Sequence, residues 1–281
     1  MIVTRFAPSP TGYLHLGHAF AAIAAHDSAQ GGRFLLRIED IDLARARPDY
    51  EAAIYEDLTW LDLGWEEPVL RQSTRFAAYR AALDSLDAQG LIYRCFCTRT
   101  EIANEIARAS EAPHGPEGAH YPGTCRGLSA NVRAELVASG APHALRLDVG
   151  EAARRVGALS FVEKGHGPAG EHGMIAADPL QFGDIVLARK ETPTAYHLAA
   201  VVDDAFQGVT LVTRGGDLFA ATHVQRLLQA LLDLPTPHYA HHRLILDAQG
   251  RKFSKRDKAA TLRDLRTQGE TPQSIRARFR N

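Results

Sequence analysis

The pattern of apolar and polar positions opens on a strand. Residues 2–6 are apolar and β-branched, and Pro8, Pro10 and Gly12 end the run before a helix can start. From Leu16 the chain becomes Ala-rich (Ala19, Ala21, Ala22, Ala24, Ala25), which favours helix, and residues 33–38 form a second apolar run. Strand, helix and strand at this spacing predict a right-handed βαβ unit in a parallel sheet. Residues 48–63 and 74–89 repeat apolar positions at the helical period, as Ala53, Ile54, Leu58 and Leu61 show, with Gly64 and Gly90 as stop signals.

Further along, residues 91–94 read as a short strand and 98–110 as a helix. Residues 141–164 read as short strands and turns, and 166–173 as a Gly/His loop. The strand–loop–helix plan then returns: strands at 182–189 and 209–214, helices at 196–204 and 218–232, and a last strand at 241–246. Residues 261–279 predict helix, broken at Gly269 and Pro272. The fold expected is α/β: a Rossmann-type parallel sheet forming a nucleotide-binding catalytic domain, with an inserted subdomain and a short C-terminal helical segment. The expected boundaries are 1–94 and 174–246 for the halves of the catalytic domain, 95–173 for the insert, and 247–281 for a loop and tail.

Composition changes this picture little. The 281 residues are 45% hydrophobic and 23% charged, as in an ordinary globular protein, and the formal net charge of -1 argues against coating nucleic acid by bulk charge. The basic residues gather in the tail, from Arg251 to Arg280. No apolar run approaches a membrane span, and no charged leader with an apolar stretch opens the chain, so a cytoplasmic protein with no membrane contact is expected. Three cysteines make a disulfide framework an unsuitable reading.

Candidate chemistry sits where strands end. A strand feeding a helix through a Gly-containing turn offers backbone N–H groups and the positive dipole end to phosphate. His15 and His18 bracket Gly17 in that first turn, and a glycine there would let a planar group approach closely. Glu39, Asp40 and Asp42 close the second strand, suited to an amine or hydroxyl. Arg214, Gly215 and Asp217 end a later one. Lys252 and Lys255, with Ser254 between them, form a Gly-preceded basic loop suited to neutralising a departing phosphate. Cys95 and Cys97, then Tyr121 and Cys125, place three thiols in one segment. They are either buried free thiols or ligands of a metal such as Zn²⁺, with Tyr121, His120 or His114 as the fourth.

Taken together, these motifs resemble the class I aminoacyl-tRNA synthetases. His15-Leu16-Gly17-His18 resembles their HIGH signature, and Lys252-Phe253-Ser254-Lys255-Arg256 their KMSKS signature. The stretch from Arg5 to Gly12 and Arg37-Ile38-Glu39-Asp40 are similar to the glutamyl and glutaminyl branch. The Cys-x-Cys…Tyr-x-x-x-Cys segment, with few residues after the second signature where an anticodon-binding region is expected, resembles the glutamyl-queuosine tRNA(Asp) synthetase family. That resemblance implies ATP-dependent activation of L-glutamate without tRNA, then transfer to the queuosine base of tRNA(Asp), by a monomer. It implies His15, His18, Lys252 and Lys255 as catalytic residues. Arg5, Ser9, Glu39, Tyr196 and Arg214 would hold glutamate; Pro8, Gly17, His18, Ser254 and Lys255 would hold ATP with its Mg²⁺. Cys95, Cys97, Tyr121 and Cys125 would hold one structural Zn²⁺. An ordinary glutamyl-tRNA synthetase core, a nucleotidylyltransferase sharing the His-x-Gly-His turn, and a non-enzymatic tRNA-binding relic are the competing readings.

Overall fold

The computed structural model describes residues 1–108, 114–116, 118–245 and 260–279. β1 (Val3–Phe6) is buried throughout and pairs in parallel with β2 (Arg33–Ile38), Val3 facing Arg33 and Phe6 facing Leu36. Between them runs α1 (Leu16–Ser28), whose buried face is Leu16, Ala19, Ala22, Ile23 and Ala25. Mostly small residues on that face let the helix lie close to the sheet. α2 (Pro48–Trp60) leads to β3 (Glu66–Arg71), parallel to β2, and then to α3 (Phe76–Ala88). β3 is absent from the sequence reading because Glu66-Glu67-Pro68 carries the polarity of an exposed edge.

β4 (Ile92–Cys95) leaves this sheet. After α4 (Arg99–Arg108), the short β5 (His114–Gly115) and β6 (Gly118–Ala119), and α5 (Ala130–Ala138), the chain returns as β7 (Ala144–Leu147), antiparallel to β4. α6 (Val149–Val156) follows, then β8 (Ser160–Glu163) and β9 (Gly173–Ala176). β10 (Val186–Ala188) closes the antiparallel sheet in the order β10-β7-β4. α7 (Tyr196–Phe206), β11 (Leu211–Gly215), α8 (Ala221–Leu231) and β12 (His238–His242) complete a second sheet ordered β11-β12-β8-β9, parallel except for β9. Pairing thus runs across the sequence positions expected as boundaries: β8 lies beside β12, and β10 beside β7. Among the described residues the last strand is His238–His242, which begins three residues earlier than the apolar pattern predicts.

Thr210 N–H donates to Val3 O at 3.0 Å, and Val3 N–H to Thr210 Oγ1 at 2.9 Å, so the entry of β11 lies against β1. Strand order therefore reverses between β1 and β11. Their carboxyl ends form a topological switch point, where sheets of this type take their ligands. α9 (Leu262–Thr267) and α10 (Pro272–Ala277) put Leu262, Leu265 and Ile275 into the core built by α1, α2 and the first sheet. Gly269, at φ +86°, and Pro272 separate these helices. Among the described residues no helix is long and apolar enough to cross a membrane.

That core holds one carboxyl group, Asp57, whose side-chain oxygens have no hydrogen-bond partner among the described residues. Burial pushes its pKa up to about 6, against the nearby Arg266 and Arg263. A folded-state value above the unfolded one means that stability is lost as pH rises from about 4 to about 6, and the loss persists above that. Asp57→Asn is expected to stabilise the protein by about 2 kcal/mol at neutral pH and by nearly nothing near pH 4. Urea unfolding at both values checks this; an equal effect at the two would mean that the charge is not the cause.

Candidate active site

The loop between β1 and α1 is held by its own histidines. His15 is the N-cap of α1: its Nδ1 accepts the Gly17 N–H at 3.1 Å, while His18 Nδ1 accepts the His15 N–H at 3.2 Å. The rings lie 3.8 Å apart. Both Nδ1 atoms being acceptors, each neutral ring carries its proton on Nε2, a donor suited to phosphate oxygen. An added Cβ on Gly17 would lie 3.1 Å from His15 Cε1. The glycine here therefore makes room for the capping imidazole, a closer cause than the ligand approach expected from sequence. Thr261 bridges to His15, and Leu262 N–H donates to Leu14 O at 2.8 Å, so the tail begins at this loop. Lys252, Ser254 and Lys255 lie outside the described residues.

Beside the loop, α7 ends in two buried acids that the sequence reading passed over. Asp204 accepts from Arg5 Nε at 2.9 Å and Arg37 Nη1 at 2.7 Å. Asp203 accepts from Arg75 Nε at 2.7 Å, Tyr79 OH at 2.6 Å and Gln72 Nε2 at 2.9 Å. Burial works against the charge on Asp204, but the Arg5 and Arg37 guanidiniums hold it below the usual carboxylate range. Glu39 stands 3.5 Å from Arg37 Nη2, and its backbone N–H donates to Pro8 O at 3.0 Å, tying the end of β2 to the first loop. Burial pushes Glu39 above the usual carboxylate range, against Arg37 and Arg5. An incoming ammonium would relieve that. Ser9 is exposed on the same loop.

Arg214, at the end of β11, is different. It is 6% exposed, and its guanidinium donates to His241 Nε2 (3.1 Å), Gln225 Oε1 (2.8 Å), Thr222 Oγ1 (2.7 Å) and Tyr196 OH (3.3 Å). All four partners are neutral acceptors. Arg5, Arg37 and Arg75 each have an aspartate; Arg214 has no ion-pair partner among the described residues. A buried cation without a counter-ion is costly, and the natural remedy is an anionic ligand.

Two cavities flank these groups. One, of about 770 Å³, is lined by Phe20, Gly216, Asp217, His242 and Leu244 among others, beyond the ends of β11 and β12. The other, of about 550 Å³, lies between the parallel sheet and the Cys-bearing segment, with Asp42, Arg45, Tyr121, Arg189 and Tyr196 in its wall. Tyr196 touches both Arg214 and this second cavity. Arg5, Glu39, Tyr196 and Arg214 are thus gathered around one switch point.

In that segment the Sγ atoms of Cys95, Cys97 and Cys125 all lie within 4.8 Å of one another. Cys97 Sγ is 3.3 Å from Cys125 Sγ and 3.4 Å from Tyr121 OH, and the Phe96 N–H donates to Cys125 Sγ at 3.3 Å. Burial pushes the Cys97 thiol up to about 12, while Cys125 is lowered, against burial, by its bonds from Tyr121 and Phe96. Three sulfurs and a phenol oxygen converging in a half-dry pocket could bind a metal ion. His120 Nε2 is 2.7 Å from Gln181 O, which turns that imidazole to another task; the His114 side chain lies outside the description.

Comparison with known proteins shows the family. The model for the catalytic domain of class I tRNA synthetases (E and Q) matches residues 1–280. A glutamyl-Q tRNA(Asp) synthetase of Rhodobacter capsulatus is 50% identical over 279 residues, 98% of each chain. A glutamate–tRNA ligase of Aquifex aeolicus is 39% identical over 98% of this chain but 55% of its own. The solved glutamate-tRNA synthetase of Elizabethkingia anophelis superposes with a TM-score of 0.74 at 27% identity, covering 91% of this chain. The chain spans about half of that solved chain, 53%.

Proposed function

The chain belongs to the catalytic-domain family of the class I tRNA synthetases for glutamate and glutamine, and from that premise we propose how its site works. It activates L-glutamate with ATP, without tRNA, and passes the glutamyl group to the queuosine base of tRNA(Asp). The observation that carries the amino-acid assignment is Arg214, a buried guanidinium bonded only to neutral groups at the switch point. The glutamate side-chain carboxylate supplies the missing anion, and Glu39 takes the α-ammonium. Arg5 and Ser9 would complete the contacts to glutamate. The other carboxylate attacks the α-phosphate, and pyrophosphate leaves.

Little covalent work falls to the protein in such a transfer, so position and charge carry the rate. His15 and His18 offer Nε2–H donors to the phosphates, aided by the N-terminus of α1 and the backbone of Pro8 and Gly17. Lys252, Ser254 and Lys255 follow the sequence motif in stabilising the pyrophosphate, with Mg²⁺ arriving on ATP. The cavity beside Tyr196 is where an acceptor nucleoside would meet the activated carboxyl. Likeness to the R. capsulatus chain over 98% of both lengths favours queuosine in tRNA(Asp) over the terminal ribose of tRNA(Glu). We read the chain as a cytoplasmic monomer.

Labelled glutamate distinguishes the acceptors. It is expected on tRNA(Asp) carrying queuosine, within the anticodon stem-loop after nuclease digestion, with none on queuosine-free tRNA. Label on the 3′ end of tRNA(Glu) would favour the ordinary synthetase instead.

Cys95, Cys97, Cys125 and Tyr121 fit one structural Zn²⁺: three soft thiolates and an oxygen make a four-coordinate set, and the metal would supply folding energy to the segment that carries them. Elemental analysis is expected to give about one zinc per chain, and chelation to expose the segment to protease. Fresh protein without zinc would leave three free thiols.

A further inference from the structure

Glu163 and His241 take no part in the assignments above, yet they lie directly behind Arg214. Both are buried, Glu163 completely and His241 at 3% exposure. His241 Nδ1 is 2.6 Å from Glu163 Oε2, and His241 Nε2 is 3.1 Å from Arg214 Nε. Arginine Nε can only donate, so His241 Nε2 carries a lone pair and its proton is on Nδ1, donated to Glu163. Glu163 is itself fixed, its Oε1 accepting from the backbone N–H groups of His241 at 2.9 Å and Gly165 at 2.8 Å. Gly165 has to be a glycine: an added Cβ would fall 2.3 Å from His241 O.

We propose that Glu163 and His241 are positioning residues for glutamate, holding the Arg214 fork in one orientation through a neutral imidazole. The inference rests on the reading that Arg214 receives the substrate's side-chain carboxylate. A carboxylate placed directly on Arg214 would neutralise it and compete with the substrate. An apolar neighbour would leave the guanidinium free to turn. A neutral imidazole accepts the Nε–H alone, so the fork is oriented while its charge awaits a ligand. The titratable and charged groups facing the ring are Glu163 from β8, Arg214 from β11, Tyr239 and His242 from β12, and His223 from α8. Burial lowers the His241 pKa; Arg214 and His242 act in the same direction, and Glu163 opposes them. Protonating Nε2 would set a second cation against Arg214.

Glutamate-dependent ATP–pyrophosphate exchange tests this with Glu163→Gln, His241→Ala and His241→Gln. The first two are expected to raise KM for glutamate about ten- to hundredfold, the worth of an oriented hydrogen bond to a charged group. KM for ATP and kcat at saturating glutamate should stay within about twofold. His241→Gln, which can return a carbonyl oxygen near the Nε2 position, should recover most of the loss. If both KM values and kcat worsen together in Glu163→Gln, and His241→Gln rescues nothing, the pair is merely structural and the proposal is overturned. Nitrogen-15 NMR of labelled histidines reads the arrangement without activity: a neutral, Nδ1-protonated His241 near neutral pH is expected, and an imidazolium or an Nε2–H tautomer overturns it. No exchange in the unsubstituted chain would sink the glutamate reading alone.

Discussion

Arg214→Ala is expected to abolish glutamate-dependent pyrophosphate exchange, lowering kcat/KM for glutamate by about a thousandfold or more. The size follows from what Arg214 lacks. Its four hydrogen-bond partners are neutral, so the substrate carboxylate would be the counter-ion of a buried cation, and removing the cation would leave that carboxylate desolvated and unpaired. Arg214→Lys keeps a charge but not the fork, and should recover only part of the activity. The stability readout runs the other way. Removing an uncompensated buried charge should leave the melting temperature unchanged or raised, whereas Arg37→Ala would leave the buried Asp204 with Arg5 alone and lower it. An Arg214→Ala protein with unchanged KM for glutamate would remove this residue from the site and, with it, the chemical basis for the amino-acid assignment.

How far the sequence alone reaches depends on what each residue answers to. The β1–α1–β2 unit is legible because its signals are local: an apolar run, a Pro/Gly stop, an Ala-rich helix. β12 is misplaced because three of its five residues are histidines: in His238-Tyr239-Ala240-His241-His242 that polarity hides the strand, and the apolar pattern points a few residues later. β8 falls within residues 141–164, legible only as short strands and turns without bounds, and it ends on the fully buried Glu163. Asp203 and Asp204 look like the solvated end of a helix; only the fold brings Arg5, Arg37 and Arg75 to them from three other elements. Likewise Arg214 can be named from its place after a strand, but not that its partners are neutral. The His15–His18 turn is legible as chemistry, although its internal bonding is not, because a histidine in an N-cap position carries no strong propensity signal.

That internal bonding allows the two duties of His18 to be separated. Its Nδ1 accepts the His15 N–H, and its Nε2 carries the proton that, on the proposed function, it would offer to phosphate. Asparagine can place Oδ1 where Nδ1 stood but has nothing at Nε2. His18→Asn is therefore expected to fold with native stability while kcat falls about a hundred- to a thousandfold, the usual worth of one donor to a developing oxyanion. Glutamine can reach the Nε2 position with an N–H but leaves the His15 N–H unpaired. His18→Gln should lose about 1 kcal/mol of stability and retain more of the rate. Exchange kinetics beside urea unfolding of both variants separates the two effects. If the asparagine variant turns over like the native chain, His18 serves only to cap α1, and the phosphate-binding role of this turn falls to His15 and the backbone.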